Sequence, residues 1–199
     1  MEPDINSYMN SMWEMQKRVN VVEALINDKV SFSYLAPKIE STVLQIRKIL
    51  ELIALSSLAA NKELFEINKK KFEDKWRVAK ILKSIESINP GFYPTPIIEE
   101  KTKDEKVKAA LIAREDGYLT KSELVSIHGR CGNILHASNP YGTQPDYNYF
   151  QEKIPIWMDK IMHLIILHKI QLLDNKFYLV RFTGGKEKKV SYNIFEKVD

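Results

Sequence analysis

One cysteine, Cys131, stands in a chain of 199 residues, so no internal disulfide framework of the small secreted kind can form. Glycine is scarce as well, with 7 residues, which sets the chain apart from collagen-like or glycine-rich low-complexity sequences. Long apolar runs are missing. The two greasiest stretches, ILELIALSSLAA (49–60) and IWMDKIMHLIILHKIQLL (156–173), are interrupted by charges and fall short of the roughly 20 apolar residues a bilayer span needs. The first fifteen residues, MEPDINSYMNSMWEM, lack the basic region and apolar core of a secretory signal. These absences predict a cytoplasmic protein that does not insert into a membrane. Charge of one sign is also lacking. With 30 Lys and Arg against 26 Asp and Glu the net charge is +4, a mild bias that demands no polyanionic partner. The basic clusters NKKKFEDK (68–75), EEKTKDEKVK (99–108) and GGKEKK (184–189) permit one locally, although runs of this kind are usually solvated faces.

What is present is helical periodicity. Ile5, Tyr8, Met9, Met12, Trp13, Val19, Val22, Leu25 and Ile26 recur at spacings of three and four, one face of a long helix. A second helix is expected from Pro37, a residue suited to a first turn, through Ile39, Val43, Ile46, Ile49, Leu50, Ile53 and Leu58. Its wide apolar stripe marks it as central. A third runs through Phe72, Trp76, Ala79, Leu82, Ile85 and Ile88 until NPGFYPTPI (89–97) stops it. From Ile97 to Gly117 the pattern fits a helix or an edge strand equally. TKSE (120–123) reads as a capping box ahead of a helix through Leu135. After a loop, Ile154, Trp157, Met158, Ile161, Ile165, His168 and Leu172 predict one more long helix. FYLVRFT and VSYNIF, on either side of GGKEKK, read as a β-hairpin. The expected fold is therefore mainly α: a bundle of about five helices over residues 1–173, with a small C-terminal β-hairpin, 174–199, packed on the same domain. Trp13, Trp76 and Trp157 all fall on apolar stripes and are expected in the core. His163 and His168 are expected to pack between helices.

The stretch HGRCGNILHASNPYG (128–142) concentrates unusual chemistry: two of the four histidines, the cysteine and an arginine. At about 100° per residue, Leu124, Ile127, His128, Cys131, Ile134 and Leu135 share the apolar side of their helix, while Arg130, Asn133 and His136 share a polar stripe opposite. Gly129 and Gly132 leave room beside that stripe for a neighbouring helix or a ligand. A zinc site would require His128, Cys131 and His136 together, but the wheel turns His136 away from the other two, so no metal and no cofactor is expected. A cysteine nucleophile needs a partly exposed, low-pKa thiolate, whereas Cys131 lies among Leu and Ile. The bland reading of the stripe pairs Arg130 with an acid of the second helix, Glu40 or Glu51, and lets His136 complement a helix end.

An arginine followed by a histidine after five intervening residues, RCGNILH, on a late helix of a bundle resembles the signature of the HEPN ribonucleases, found in many toxin and phage-defence systems. The order of helices over residues 1–173 is similar too, and YLTKSELVSIHGRCGNILHASNP together with NPGFYPTPI resembles a group of uncharacterised bacterial proteins. Directly after the arginine stands Cys131, where that family commonly carries a polar residue. The resemblance implies a metal-independent endoribonuclease or RNA-binding protein. It further implies a homodimer in which two motif helices face a common cleft, with a protein partner such as an antitoxin.

The chemistry suits those residues. When a ribose 2′-hydroxyl attacks its neighbouring phosphate, the reaction needs a base whose pKa lies near neutrality, as that of imidazole does at about 6.5. It also needs a cation for the developing charge, and a planar guanidinium fits phosphate oxygens. His136 is the candidate base, Arg130 the phosphate clamp, and Asn133 the residue that orients either. Tyr141, Tyr147 and Tyr149 are candidates to stack bases. The rival reading is a non-catalytic helical module that binds a protein partner, with the hairpin's edge as one surface.

Overall fold

The computed structural model describes residues 5–61, 77–102, 109–137, 139, 141–172, 175–183 and 189–196. Helix α1 (Ile5–Ile26) buries Tyr8, Met9, Met12, Met15, Val19, Val22 and Leu25, the spacing of three and four that makes one stripe. Trp13 does not belong to it: the residue is 48% exposed, because it sits next to Met12 and one residue is 100° of helix. Trp157 is buried, and Trp76 lies outside the described residues.

Helix α2 (Leu35–Ala60) carries Pro37 in its first turn and buries residues on more than half of its circumference, among them Ile39, Val43, Ile46, Ile49, Leu50, Ile53, Ala54 and Leu58. It is accordingly the central helix, packed against α1 and against three shorter ones. These are α3 (Val78–Glu86), α4 (Lys121–Ile134) and α5 (Tyr147–Ile165). The expected reach of α3 back to Phe72 lies outside the described residues, and Ile88, expected on its stripe, falls beyond its end and is exposed.

The capping box at Thr120 is present. The Thr120 hydroxyl accepts from the Glu123 backbone N–H at 3.3 Å, and the Thr120 N–H donates to Glu123 Oε2 at 3.0 Å. Glu123 also pairs with Lys160 of α5, so the start of α4 is tied to a second helix. Replacing Thr120 with alanine removes a partner from an otherwise orphaned helix donor, and chemical denaturation should show a loss of about 1 kcal/mol.

The β structure overturns the expected mainly α bundle with a small C-terminal hairpin. Five strands, β1 (Thr95–Glu100), β2 (Ala110–Ala113), β3 (Leu167–Gln171), β4 (Lys176–Thr183) and β5 (Lys189–Glu196), form one sheet in the order β2-β1-β3-β4-β5. Every pairing is antiparallel, and the fold is α+β. Two segments account for the difference. The undecided stretch from Ile97 to Gly117 supplies β1 and β2, paired Ile97 with Ala113 through Glu100 with Ala110. The helix predicted to run through His168 to Leu172 stops at Ile165, and the following residues form β3, the middle strand. His168 and Leu172 fit a spacing of three and four, but 168, 170 and 172 also alternate, and a short apolar run cannot reveal its own period. Pairing on both sides, Pro96 with His168 and His168 with Val180, selects the strand.

One face of the sheet lies on the helices. Register and the two-residue side-chain period put His168, Ile170, Tyr178, Val180, Phe182 and Val190 on that face, and all six are buried. Tyr8 of α1 reaches across to it, its hydroxyl donating to His168 Nε2 at 2.7 Å, while His168 Nδ1 donates to the Ile165 carbonyl at 2.9 Å. His163, by contrast, is still helical and partly exposed, with Nδ1 donating to the carbonyl of Gly117.

Candidate functional site

The motif helix leans on α2 through a polar seam. His128 Nε2 and Arg47 Nε both lie 3.2 Å from Glu51 Oε1, and Lys48 Nζ lies 3.1 Å from Oε2. Burial disfavours the Glu51 carboxylate, yet hydrogen bonds from Lys48 and His128 outweigh it and leave its pKa lowered. The pKa of His128 is lowered, first by burial and then by the charges of Arg47 and Lys48 against the opposing pull of Glu51. A neutral ring donating from Nε2 to the carboxylate satisfies both groups. The seam explains one of the two helix glycines. A Cβ on Gly132 would sit 2.5 Å from Arg47 Nη1, whereas Gly129 has nothing within 4 Å. Close approach is thus a property of Gly132, and the approaching group is a guanidinium of the same chain.

Cys131 is sealed among apolar residues, and burial pushes its thiol up to about 12, so it stays protonated and inert near neutrality. Among the described residues no three His, Cys, Asp or Glu side chains converge as a metal site would require.

Arg130, Asn133 and His136 are all exposed. Arg130 does not pair with an acid of α2. Glu40 instead accepts from the Tyr147 hydroxyl at 2.7 Å, and Glu51 is taken by the seam. The Arg130 guanidinium donates from Nη1 to the Tyr149 hydroxyl at 3.0 Å and lies 5.8 Å from the centre of that ring. Lys153, one turn further along α5, places its ammonium 5.9 Å from the same ring centre. Tyr149 is itself steadied by edge contacts with Phe150 and Trp157. The wheel does not hold as far as His136: α4 ends at Ile134, Leu135 is its C-cap, and the imidazole projects from the loop that follows. Among the described residues it makes no hydrogen bond, and it stands directly after the helix end.

The three tyrosines divide. Tyr147 is tied to Glu40, Tyr149 is enclosed by two cations and two aromatic edges, and Tyr141 is 97% exposed, its backbone N–H held by Asn139 Oδ1 at 3.0 Å. Sequence reasoning missed Lys153 and the Glu51–His128 contact. Lys153 carried a usable signal, since it lies four residues after Tyr149 on one helix, where side chains meet.

Cavities of about 350 Å³ beside Lys48, Glu51, Leu55, Val78 and Ile81 and of about 210 Å³ between α2 and α5 include neither Arg130 nor His136. Compared with protein-family models, with curated proteins and with solved structures, the chain matches none. No helix among the described residues is long and apolar enough to cross a membrane.

Proposed function

We propose that the end of α4 and the start of α5 form an RNA-contacting surface, and that the chain binds RNA or cleaves it without a metal, in the cytoplasm of a bacterium and as part of a toxin or phage-defence system. The observation that carries this reading is the exposure of Arg130, Asn133 and His136 together, with Arg130 held in place by Tyr149 and a second cation, Lys153, beside it. Arg130 spends one of five donors on Tyr149 and keeps the others for a phosphate. In cleavage His136 takes the proton of the 2′-hydroxyl as that oxygen attacks phosphorus; the bond to the 5′-oxygen breaks, leaving a 2′,3′-cyclic phosphate, and the departing 5′-oxygen takes a proton from water. Arg130 neutralises the charge gathering on the phosphate, and Asn133 orients the phosphate or the imidazole. Two copies would bring two such ends to one cleft, with an antitoxin as protein partner.

The test is incubation of the purified protein with mixed RNA in the presence of a chelator, beside the His136→Ala and Arg130→Ala variants. Loss of the general base should lower the cleavage rate by about 100- to 10,000-fold. Loss of Arg130 or Lys153 should weaken RNA binding and reduce its salt dependence by about one counterion each. Equal cleavage by the wild type and His136→Ala rejects the base assignment. A wild-type protein that neither cuts nor binds RNA rejects the reading and leaves the non-catalytic interaction module.

A further inference from the structure

Among the described residues strand β5 ends the sheet, and only its β4 side is paired. The direction of its backbone groups follows from the register. Phe182 donates its N–H to the Ile166 carbonyl, on the β3 side, so alternate residues of β4, Val180 and Tyr178, also point that way, and Leu179 and Arg181 point towards β5. Their partners Asn193 and Ser191 point back. The N–H and C=O groups of Val190, Tyr192, Ile194 and Glu196 therefore face away from the sheet.

Among the described residues that edge has none of the usual protection. Edge strands are normally short, bulged, or interrupted by lysine or proline, as β2, with four residues, is short. Strand β5 has eight, carries no charge and no proline from Val190 to Phe195, and every residue from Ser191 to Glu196 is exposed. Tyr192 and Ile194 share the buried face of the sheet with Val190, Val180 and Tyr178, yet they are 41% and 55% exposed. The apolar surface that begins under the helices thus continues past their cover to the open edge.

We propose that β5 is the interface at which two copies of this chain pair edge to edge, antiparallel about a twofold axis, joining two sheets into one. The strand is complementary to itself. From Val190 to Phe195 it carries no charge, so antiparallel pairing brings no like charges together there. A twofold axis perpendicular to the sheet must place one residue opposite its own copy, since side chains opposite each other share a face. Centred on Tyr192, the register pairs Val190 with Ile194 and Ser191 with Asn193, apolar with apolar and polar with polar. Centred on Asn193 it would set Val190 against Glu196 and Ser191 against Phe195. The first register is the one that fits, and it hydrogen-bonds the outward groups of Val190, Tyr192 and Ile194. No residue of α4 or α5 takes part, so this pairing is a second interface beside the cleft between α4 ends that the RNA reading supposes, and RNA binding by a single copy does not depend on it.

Sedimentation equilibrium over a dilution series should give a mass approaching twice 23.2 kDa. Ile194→Pro removes an N–H that faces outward, where proline is tolerated, and should give a monomer with the wild-type circular dichroism. If that variant fails to fold, Ile194→Lys, which places two like charges in the seam, decides instead. The Tyr192→Cys variant should form an intermolecular disulfide on mild oxidation, because residues opposite each other in a hydrogen-bonded pair lie about 5.5 Å apart at Cα, while Cys131 is buried. A wild-type monomer at every concentration, a dimer that survives Ile194→Lys, or a dimer in which Tyr192→Cys does not cross-link would overturn the proposal.

Discussion

Lowering the pH from 6.5 to 4 should cost this protein roughly 3 kcal/mol of stability through one buried ring. His168 is fully buried, and its pKa falls from 6.5 to about 4, first because burial penalises the imidazolium and against a smaller opposing effect of its bond to the Ile165 carbonyl. In the unfolded chain the ring takes up a proton below about pH 6.5, and in the folded protein only below about 4. Stability is therefore complete above 6.5, falls by about 1.4 kcal/mol for each unit between those values, and has no further contribution from this group below them. His128, also lowered by burial, acts in the same direction. The carboxylates of Glu51, Glu99 and Glu123 have pKa values lowered from 4.5, so their losses set in as the pH falls through about 4.5, at the lower end of the window. Urea midpoints at several pH values between 7 and 4.5 measure the slope. In a Tyr8→Phe/His168→Leu background, which removes both polar partners at once, the slope should shrink to the share of His128. Parallel curves for the two proteins would refute the assignment.

Tyr8→Ala should destabilise by about 3–5 kcal/mol, the range for emptying a large aromatic site in a core. The side chain is wholly buried, stands beside Tyr178 with ring centroids 6.1 Å apart, and binds His168 Nε2. Burial holds its hydroxyl protonated, since it raises the pKa well above the ordinary value, and a protonated hydroxyl is what a neutral His168 accepts from. Tyr8→Phe separates the two contributions. It keeps the ring, leaves a buried ring nitrogen without a donor, and should cost about 1–3 kcal/mol. Equal unfolding midpoints for wild type and Tyr8→Phe would show that this bond carries nothing. Both variants join the first helix to the middle strand, elements separated by 160 residues in the chain.

That junction shows where sequence reading ran out. Met12, Val19 and Val22 of α1 and the whole inner stripe of α2 were legible, because a helix advertises its buried face within one short window. So was the capping box at Thr120, whose partners lie three residues apart. The apolar stripe took in Trp13 as well, but its neighbour Met12 holds the inward position. At the motif, the exposure of Arg130 and Asn133 followed from the wheel. What Arg130 touches did not, since Tyr149 lies on another helix, and the direction of His136 did not, since the helix ends first.

The amino-acid order by itself determined the stripes of α1 and α2, the start of α4 and the sheltered thiol of Cys131, all of them consequences of contacts within a few residues. Only the tertiary structure decided that 167–171 is a central strand, that 95–100 and 110–113 pair in the same sheet, and that Tyr8 and His168 meet. A strand has no hydrogen-bond partner within itself, so its identity depends on chain brought alongside from far away. Residues that satisfy two periods at once take whichever one those distant partners can complete.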